Sequence, residues 1–370
     1  GNAASPRYAS YGANAIDVVG SETFASESAA NAAGYALHRA FIDGGAEKQG
    51  FFIDKYLASK NGATSCKSIQ NGVPISLTTS TSYTNSNGMT TSEGSCTGNL
   101  YDAVLLARSR GINTFNVAST FMYSALALLS LAHGQAATAA TYCAWYDSNK
   151  VMNFPKGCNN GSLADTNDTS VTFTSAGDAG TTAKPKTGSA SNLAKTTHNG
   201  QTCGITDING AMHQVMLGVT SPGSSATDSV QVANGGAYVL KRSVALASLK
   251  YGFGGANDAW GTASNLATNY DYVSDLFPWG ATTGTVYFGN GSNNVFSGAT
   301  SGSSYQRTAC GIQDTTSGAS ASGTNQFGND YCYQYNIANM FFLGSASWSS
   351  GSTRPWRTPR PGTSAAPSAS

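Results

Sequence analysis

Residues 325–357 concentrate Tyr, Asn and Ser side chains at a spacing that suits noncovalent recognition. Tyr331, Tyr333 and Tyr335 fall at a two-residue step, so on a β-strand they would project from one face. Asn and Ser residues, with one Asp, surround them: Asn325, Asn329, Asp330, Asn336, Asn339, Ser347, Ser349, Ser350 and Ser352. Tyr supplies contact area at low entropy cost, and Asn and Ser supply adaptable hydrogen bonds. We predict a ligand-binding surface here; a strand rich in Tyr only through β propensity is the alternative.

The residues that catalysis requires stand at unsuitable spacings in this sequence. The four histidines, His38, His133, His198 and His213, show no metal-ligand spacing with one another. The sequence has no Gly-x-Ser-x-Gly nucleophile elbow in a strand-turn-helix context and no Gly-rich phosphate loop followed by Lys-Ser/Thr. Paired carboxylates for glycoside cleavage stay open, because spatial pairing is not visible in a sequence. We predict that the protein is not an enzyme and needs no cofactor.

Calcium is the one ion that the sequence leaves open. Oxygen ligands are grouped in the polar stretch 158–200: Asn159, Asn160, Asp165, Asn167 and Asp168. Their spacing does not fit an EF-hand, so we favour a solvated loop without metal.

The sequence has seven cysteines, which could form disulfides or remain buried free thiols: Cys66, Cys96, Cys143, Cys158, Cys203, Cys310 and Cys332. Their odd number and the lack of a CxxC pair argue against a zinc site. Cys66 with Cys96, and Cys143 with Cys158, could close loops as disulfides. We favour free thiols, and the pairs remain the alternative.

Composition excludes two classes of partner. Only 11% of the 370 residues are charged and the net charge is +1, so the chain has no electrostatic signature of nucleic-acid binding. No apolar run reaches about eighteen residues, so we expect no membrane insertion. Nor does the sequence open with the basic and apolar leader of a signal peptide. Gly and uncharged polar residues must supply solubility, as they do in viral fibres and secreted adhesins.

Hydrophobic spacing predicts the elements that would position the recognition surface. Helical periodicity covers residues 22–43, with an N-cap at Ser21, and also covers 99–110 and 117–147. Residues 50–56 predict a short buried strand. Polar tracts at about 60–98 and 158–200 predict surface insertions, and residues 359–370 a flexible tail. The predicted core is Phe51, Ile53, Tyr56, Phe121, Leu128, Trp145, Ile205, Ile208, Val215, Phe341 and Trp348.

The run from Cys203 to Gln214, CGITDINGAMHQ, resembles the signature of formylglycine-generating enzymes, a branch of the C-type-lectin fold. Gly204, Ile205, Asp207 and Gly210 match the family pattern Gly-Ile/Leu-x-Asp-Met-x-Gly-Asn-Val-Trp-Glu-Trp. Ala211 stands where the family has Asn, His213 where it has Trp, and Gln214 where it has Glu. Tyr-Cys-Ala-Trp at 142–145 and Asn-Phe-Pro-Lys-Gly at 153–157 resemble the preceding family elements. The resemblance implies an α+β C-type-lectin-like domain over residues 21–358, after an N-terminal segment 1–20.

The polar C-terminal stretch adds a resemblance to variable proteins of diversity-generating retroelements, which use this fold as a rigid frame. In that family, adenine-directed mutagenesis diversifies selected surface codons to Asn, Tyr, Ser and similar residues. The resemblance implies a variable region at 325–357 and recognition of a host-cell surface protein or glycan. It implies a place on a virion tail or fibre, or on a cell surface, with other virion proteins as further candidate partners. It leaves oligomerisation open.

Two alternatives accompany this reading. A formylglycine-generating-enzyme-like oxidoreductase would need a late Gly-Phe-Arg-Cys motif, and neither Cys310 nor Cys332 has that context. Ser-Thr-Arg-Pro at 352–355 is the nearest counterpart and contains no cysteine. A structural virion or fibre protein of fixed specificity would predict repeats at a constant period, and the sequence has none.

Overall fold

The structure, a computed structural model, describes most of the first third of the chain and separate parts of the remainder. The described residues are 17–76, 89–91, 94–95, 100–132, 155–159, 161–166, 168–177, 184–221, 236–249, 268–274, 276, 284–287, 301–310, 331–334, 340–344 and 360–363.

A five-stranded antiparallel sheet is the largest element, and it lies beside α-helices in a mixed α+β arrangement. Its strands, in spatial order, are β11 (Tyr270–Val273), β10 (Ala237–Leu240), β9 (Gln214–Ser221), β14 (Met340–Gly344) and β15 (Arg360–Thr363). β9 reads as an almost continuous apolar run, Val-Met-Leu-Gly-Val, and residues 216–220 are buried at successive positions. Burial of successive residues means that β9 is covered on both faces.

The remaining strands form two-stranded antiparallel ladders. They are β1 (Ile42–Asp43) with β2 (Ala46–Glu47), β3 (Ala58–Asn61) with β4 (Ser65–Ser68), β5 (Thr90–Thr91) with β6 (Gly94–Ser95), β7 (Ala164–Asp165) with β8 (Asp168–Thr172), and β12 (Gly284–Tyr287) with β13 (Tyr331–Gln334).

Four α-helices accompany the strands in the described residues: α1 (Glu27–Ala32), α2 (Leu100–Arg108), α3 (Thr120–Ala132) and α4 (Gly302–Ala309). α3 begins where Ser119 Oγ accepts a hydrogen bond from Met122 N at 3.2 Å, and its Ala and Leu residues favour a helix. It packs closely on β9, because a Cβ at Gly218 would lie 2.9 Å from the Phe121 ring. This glycine therefore sets the distance between helix and sheet.

The main core lies between the sheet and the helices. It combines residues of β9, β10 and β11 with Val104 from α2, Phe121 from α3 and Ala309 from α4. Smaller apolar clusters surround Cys66 and Cys158. Of the predicted core, Phe121 and Ile208 are buried, and the following are half-buried: Phe51, Ile53, Tyr56, Leu128, Ile205 and Val215. Trp145 and Trp348, and the side chain of Phe341, lie outside the described residues.

Two of the predicted elements are wrong. Residues 22–43 do not form one helix: α1 spans six residues, is capped by Ser26 rather than Ser21, and ends at a turn in which Gly34 has φ 84°. Residues 50–56 form no strand, and Phe52 is fully exposed at 105%. The Ala-rich spacing of 22–43 mimics a helix, but it contains too little buried apolar surface to stabilise a long one.

The predictions for α2 and α3 are confirmed within the described residues, and residues 133–147 lie outside them. The solvated loop predicted from residue 158 is wrong, because Asn159, Asp165 and Asp168 are buried beside a small apolar cluster. The polar composition of this tract therefore did not indicate that part of it is folded and buried.

Candidate functional site

The signature run 203–214 folds into a tight loop that leads directly into β9. Two of its residues adopt left-handed backbone conformations, Asp207 with φ 59° and Gly210 with φ 69°. A Cβ at Gly210 would lie 2.6 Å from Cys158 N and O, so only glycine fits there. Cys158 N in turn donates a hydrogen bond to Gly210 O at 2.9 Å. The loop 155–159 and the signature loop are thus in main-chain contact.

Asp207 is the polar centre of this loop. Its side chain is 1% exposed, and its Oδ2 accepts hydrogen bonds from Thr187 Oγ1 at 2.6 Å, Gly188 N at 2.7 Å and Thr206 Oγ1 at 2.9 Å. Burial raises the pKa of this carboxyl, and the three donors oppose that shift without cancelling it. Asp207 therefore joins residues 187–188 to the signature loop, and it is not accessible to a ligand from solvent.

Gln214 has a structural role although it departs from the family pattern. It is buried at the start of β9, its Nε2 donates to the carbonyl oxygen of Asp207 at 2.8 Å, and its Oε1 accepts from the hydroxyl of Tyr123. Burial raises the pKa of Tyr123, so this hydroxyl keeps its proton. The other two departures differ: Ala211 is buried, and His213 is half-buried at the edge of a groove.

Sequence reasoning missed the partners of the signature loop. Thr187 and Gly188 lie in the tract predicted to be a polar insertion, yet they hold Asp207. Asn209 Nδ2 donates to Pro155 O at 3.0 Å and fixes the other side of the loop. No spacing in the sequence signals these contacts, since they join residues 19 to 54 positions apart.

The structure describes the predicted recognition surface only in part, through the backbone of residues 331–334. β13 spans Tyr331–Gln334, so the predicted strand exists there, and strand alternation places positions 331 and 333 on one face. β13 pairs with β12, with Tyr331 opposite Tyr287 and Tyr333 opposite Thr285. The other predicted site residues lie outside the described part of the chain: Asn325, Asn329, Asp330, Tyr335, Asn336, Asn339, Ser347, Ser349, Ser350 and Ser352.

β14 interrupts the recognition segment and anchors it. Antiparallel ladders join it to β9 on one side and to β15 on the other, with Leu343 opposite Val215 and Arg360. A register shift separates Phe341 from Phe342 on the β9 side. β14 is thus paired along both of its edges.

The candidate calcium ligands are partly used by protein contacts. Asp168 Oδ2 lies 2.6 Å from Lys195 Nζ, and its Oδ1 accepts from Ser170 Oγ at 2.6 Å. Burial alone would raise the pKa of Asp168, but the bonds from Lys195 and Ser170 outweigh it and lower the pKa. Within the described residues, no three His, Cys, Asp or Glu side chains are grouped as a metal site would require. Asn160 and Asn167 lie outside those residues.

A groove of about 1050 Å³ lies beside the signature loop. Its floor contains buried apolar side chains, among them Phe121 of α3 and Leu240 of β10, and its rim contains the exposed Lys48, Phe52 and Asn113. Residues 212–215 and Leu343 of β14 also line it. The groove was not predicted, because its walls come from segments spread between residues 39 and 343.

Four of the seven cysteines are described as free thiols, as favoured from the sequence. Cys66, Cys158 and Cys310 are buried and Cys203 is exposed. Cys66 and Cys158 thus form no disulfide, and the partners considered for them, Cys96 and Cys143, lie outside the described residues. Burial raises the pKa of the Cys66 thiol to about 11 and raises that of Cys310 further.

Comparison with protein-family models and with curated proteins found no match to this chain. The family resemblance therefore rests on the residues of its motifs. In the part of the chain that the structure describes, no helix is long and apolar enough to cross a membrane.

Proposed function

We propose that the protein is a non-enzymatic ligand-binding protein built on a C-type-lectin-like scaffold. Its binding surface is the Tyr-, Asn- and Ser-rich segment 325–357, and its ligand is a protein or glycan on a host-cell surface. The protein acts from a virion tail or fibre, or from a cell surface. Modest affinity at each site is raised by multivalent display.

The position of β14 carries this proposal. Residues 340–344 lie inside the five-stranded sheet, whereas the polar clusters of the recognition segment precede and follow that strand. A paired strand holds the chain rigidly, and loops on a rigid scaffold are where binding residues concentrate. Variation in the flanking residues would leave the hydrogen-bond ladders of β14 unchanged.

The signature loop supports the scaffold role. Asp207 makes its bonds within the protein, and Gln214 joins α3 to β9 through Tyr123. Asp207 matches the family pattern and Gln214 departs from it, and both make structural contacts within the protein. The run thus supports a frame that positions other residues rather than chemistry at the loop itself.

Cys310, one of the two late cysteines that an oxidoreductase could use, is poorly suited to react. Cys310 is 4% exposed and its pKa is raised by burial, so the reactive thiolate is disfavoured. Nucleophilic and copper-dependent chemistry both require the thiolate form. This observation favours the binding proposal over the formylglycine-generating-enzyme-like alternative.

Sequencing the 3′ end of the gene across sibling isolates tests the proposal. We expect substitutions confined to codons such as those of Tyr331, Tyr333, Asn336 and Ser349, beside a near-copy repeat and a reverse transcriptase gene. The codons of residues 340–344 are the internal control and should not vary. An invariant 3′ end without a repeat would contradict diversification and favour a structural protein of fixed specificity.

A further inference from the structure

Arg39 is a buried cation whose contacts in the described residues include no carboxylate. It is 3% exposed and begins the short helical turn Arg39–Phe41. Its Nη1 donates to the carbonyl of Ile42, its Nη2 donates to the carbonyl of Lys241 at 2.9 Å, and no acceptor reaches its Nε. The guanidinium lies 4.6 Å from the centre of the Phe121 ring. Its partners are thus neutral groups.

This charge is only partly compensated by its surroundings. Removing a guanidinium from water costs free energy, and carbonyl and aromatic contacts recover part of it. Burial lowers the pKa of Arg39, while Tyr305 and Asp43 oppose that shift and Arg242 adds to it. Asp43 forms no ion pair with Arg39, and its Oδ1 accepts a hydrogen bond from Leu246 N at 2.8 Å. The guanidinium therefore keeps capacity for an anion.

Arg39 is one of the residues that line the groove, and 3% of its surface is exposed. The described lining residues include four cations and two acids: Arg39, Lys48, Arg110 and Lys184, with Asp43 and Asp54. Arg110 forms an ion pair with Asp54. Apart from that pair and Lys184, the described lining carries two cations, Arg39 and Lys48, and one acid, Asp43. Phe121 lies beside Arg39, and the apolar lining of the groove also includes Leu240 and Leu343.

We infer that this groove binds a small amphiphilic monocarboxylate, with the carboxylate at Arg39 and the apolar body along Phe121 and Leu240. A guanidinium is the side chain best suited to a carboxylate, because both are planar and can share paired hydrogen bonds. Small-molecule sites are typically apolar clefts with a few polar groups that fix orientation. The inference does not depend on the proposed recognition function, because Arg39, Phe121 and Leu240 lie outside residues 325–357.

Titration calorimetry on the full chain with a charge series tests the inference. Octanoate, 1-octanol and octyltrimethylammonium share one alkyl chain and differ in the charge of the head group. We expect octanoate to bind about tenfold more tightly than octanol, as a charge-assisted hydrogen bond predicts, and the cation to bind most weakly. Equal affinities, or no binding of octanoate, would overturn the inference.

Variants of Arg39 test the location. Arg39→Gln should lower octanoate affinity to that of octanol and leave octanol affinity unchanged, whereas Arg39→Lys should retain part of the preference. Lys67→Gln is the matched control, because Lys67 is an exposed cation of β4 that does not line the groove. Unchanged octanoate affinity in a folded Arg39→Gln protein would refute the site. Should Arg39→Gln fail to fold, the Arg39→Lys variant and the charge series on the native chain decide.

Discussion

The side-chain amide of Gln214 donates a 2.8 Å hydrogen bond to the main-chain carbonyl of Asp207, seven residues earlier in the signature loop. The same amide accepts from Tyr123 of α3. An amide can donate and accept at once, whereas a carboxylate only accepts. Gln214 stands where the resembled pattern has Glu, and its amide lets one buried neutral side chain connect a helix, a strand and the loop.

Replacing Asp207 by Ala should destabilise the fold strongly. The change leaves Thr187, Gly188 and Thr206 without their common acceptor in a buried site, at a cost of about 3 kcal/mol or more. The control is Asn71→Ala, since Asn71 has nearly the same backbone conformation, φ 61°, but an exposed side chain. It should cost only about 1 kcal/mol, from backbone strain. Urea unfolding measures both, and similar losses would mean that the carboxylate bonds contribute little.

Gly210→Ala should damage folding through a collision rather than through backbone strain alone. The added Cβ would lie 2.6 Å from main-chain atoms of Cys158, which cannot move without disrupting the loop 155–159. Gly62→Ala provides the comparison: Gly62 has φ 70°, but no atom lies within 4 Å of the added Cβ. We expect a loss of about 1 kcal/mol at Gly62 and a much larger one at Gly210. Equal melting temperatures for the two variants would contradict the packing described for the signature loop.

The ion pair of Asp168 with Lys195 should make the free energy of unfolding depend on pH in the acidic range. Because the pKa of Asp168 is lower in the folded chain than its ordinary value of about 3.9, the pair stabilises fully above that value. Its contribution is lost as the pH falls through the lowered pKa. Asp168→Asn should therefore destabilise the protein at pH 6, with a difference from wild type that shrinks below about pH 4.

Urea unfolding at a series of pH values checks this, with Lys195→Met and the double variant completing a thermodynamic cycle. A difference between wild type and Asp168→Asn that stays constant from pH 6 to pH 3 would show that the carboxylate does not titrate as described.

Iodoacetamide should modify Cys203 well before the other described cysteines. Cys203 is exposed, whereas burial raises the pKa values of Cys66, Cys158 and Cys310 and so disfavours their thiolates. Peptide mass spectrometry resolves the four sites, and labelling in urea provides the reference for full access. Fast modification of Cys310 in the native protein would reopen the oxidoreductase alternative.

Replacing Tyr331, Tyr333 and Tyr335 together by Ser should abolish ligand binding and leave the melting temperature within a few degrees, because surface substitutions cost little stability. Binding of fluorescently labelled protein to glycan arrays and to candidate host cells is the measurement. Tyr272→Ser is the control, since Tyr272 is an exposed tyrosine of β11 outside the recognition segment. A large loss of stability in the triple variant would place these tyrosines in the core and contradict the recognition surface.

Local patterns in the sequence predicted elements where burial and propensity agree. α2 and α3 are rich in helix-forming residues and are packed into apolar clusters, and β13 follows its two-residue Tyr pattern. Residues 22–43 also have helical spacing, but their small Ala side chains bury little surface. Tertiary contacts there favour short turns, as for the buried Arg39 that follows α1.

Local sequence patterns also predicted only some residues of the candidate sites. Asp207 and Gly210 were recognised from a motif, and both adopt backbone conformations that tolerate few residues. Thr187 and Gly188, which bind Asp207, and Arg39, which lines the groove, belong to no local pattern. Their roles arise from chain segments that meet only in the folded protein, so periodicity and spacing could not reveal them.

The central position of β14 also has a consequence for the order of folding. β9 is synthesised more than a hundred residues before its neighbour β14. During synthesis, the edge of β9 that pairs with β14 therefore stays unpaired until residues 340–344 have been made. Contacts of such long sequence separation form slowly, and an open strand edge invites pairing with other chains. The segment proposed to bind a ligand thus also contains the strand that pairs with the open edge of β9.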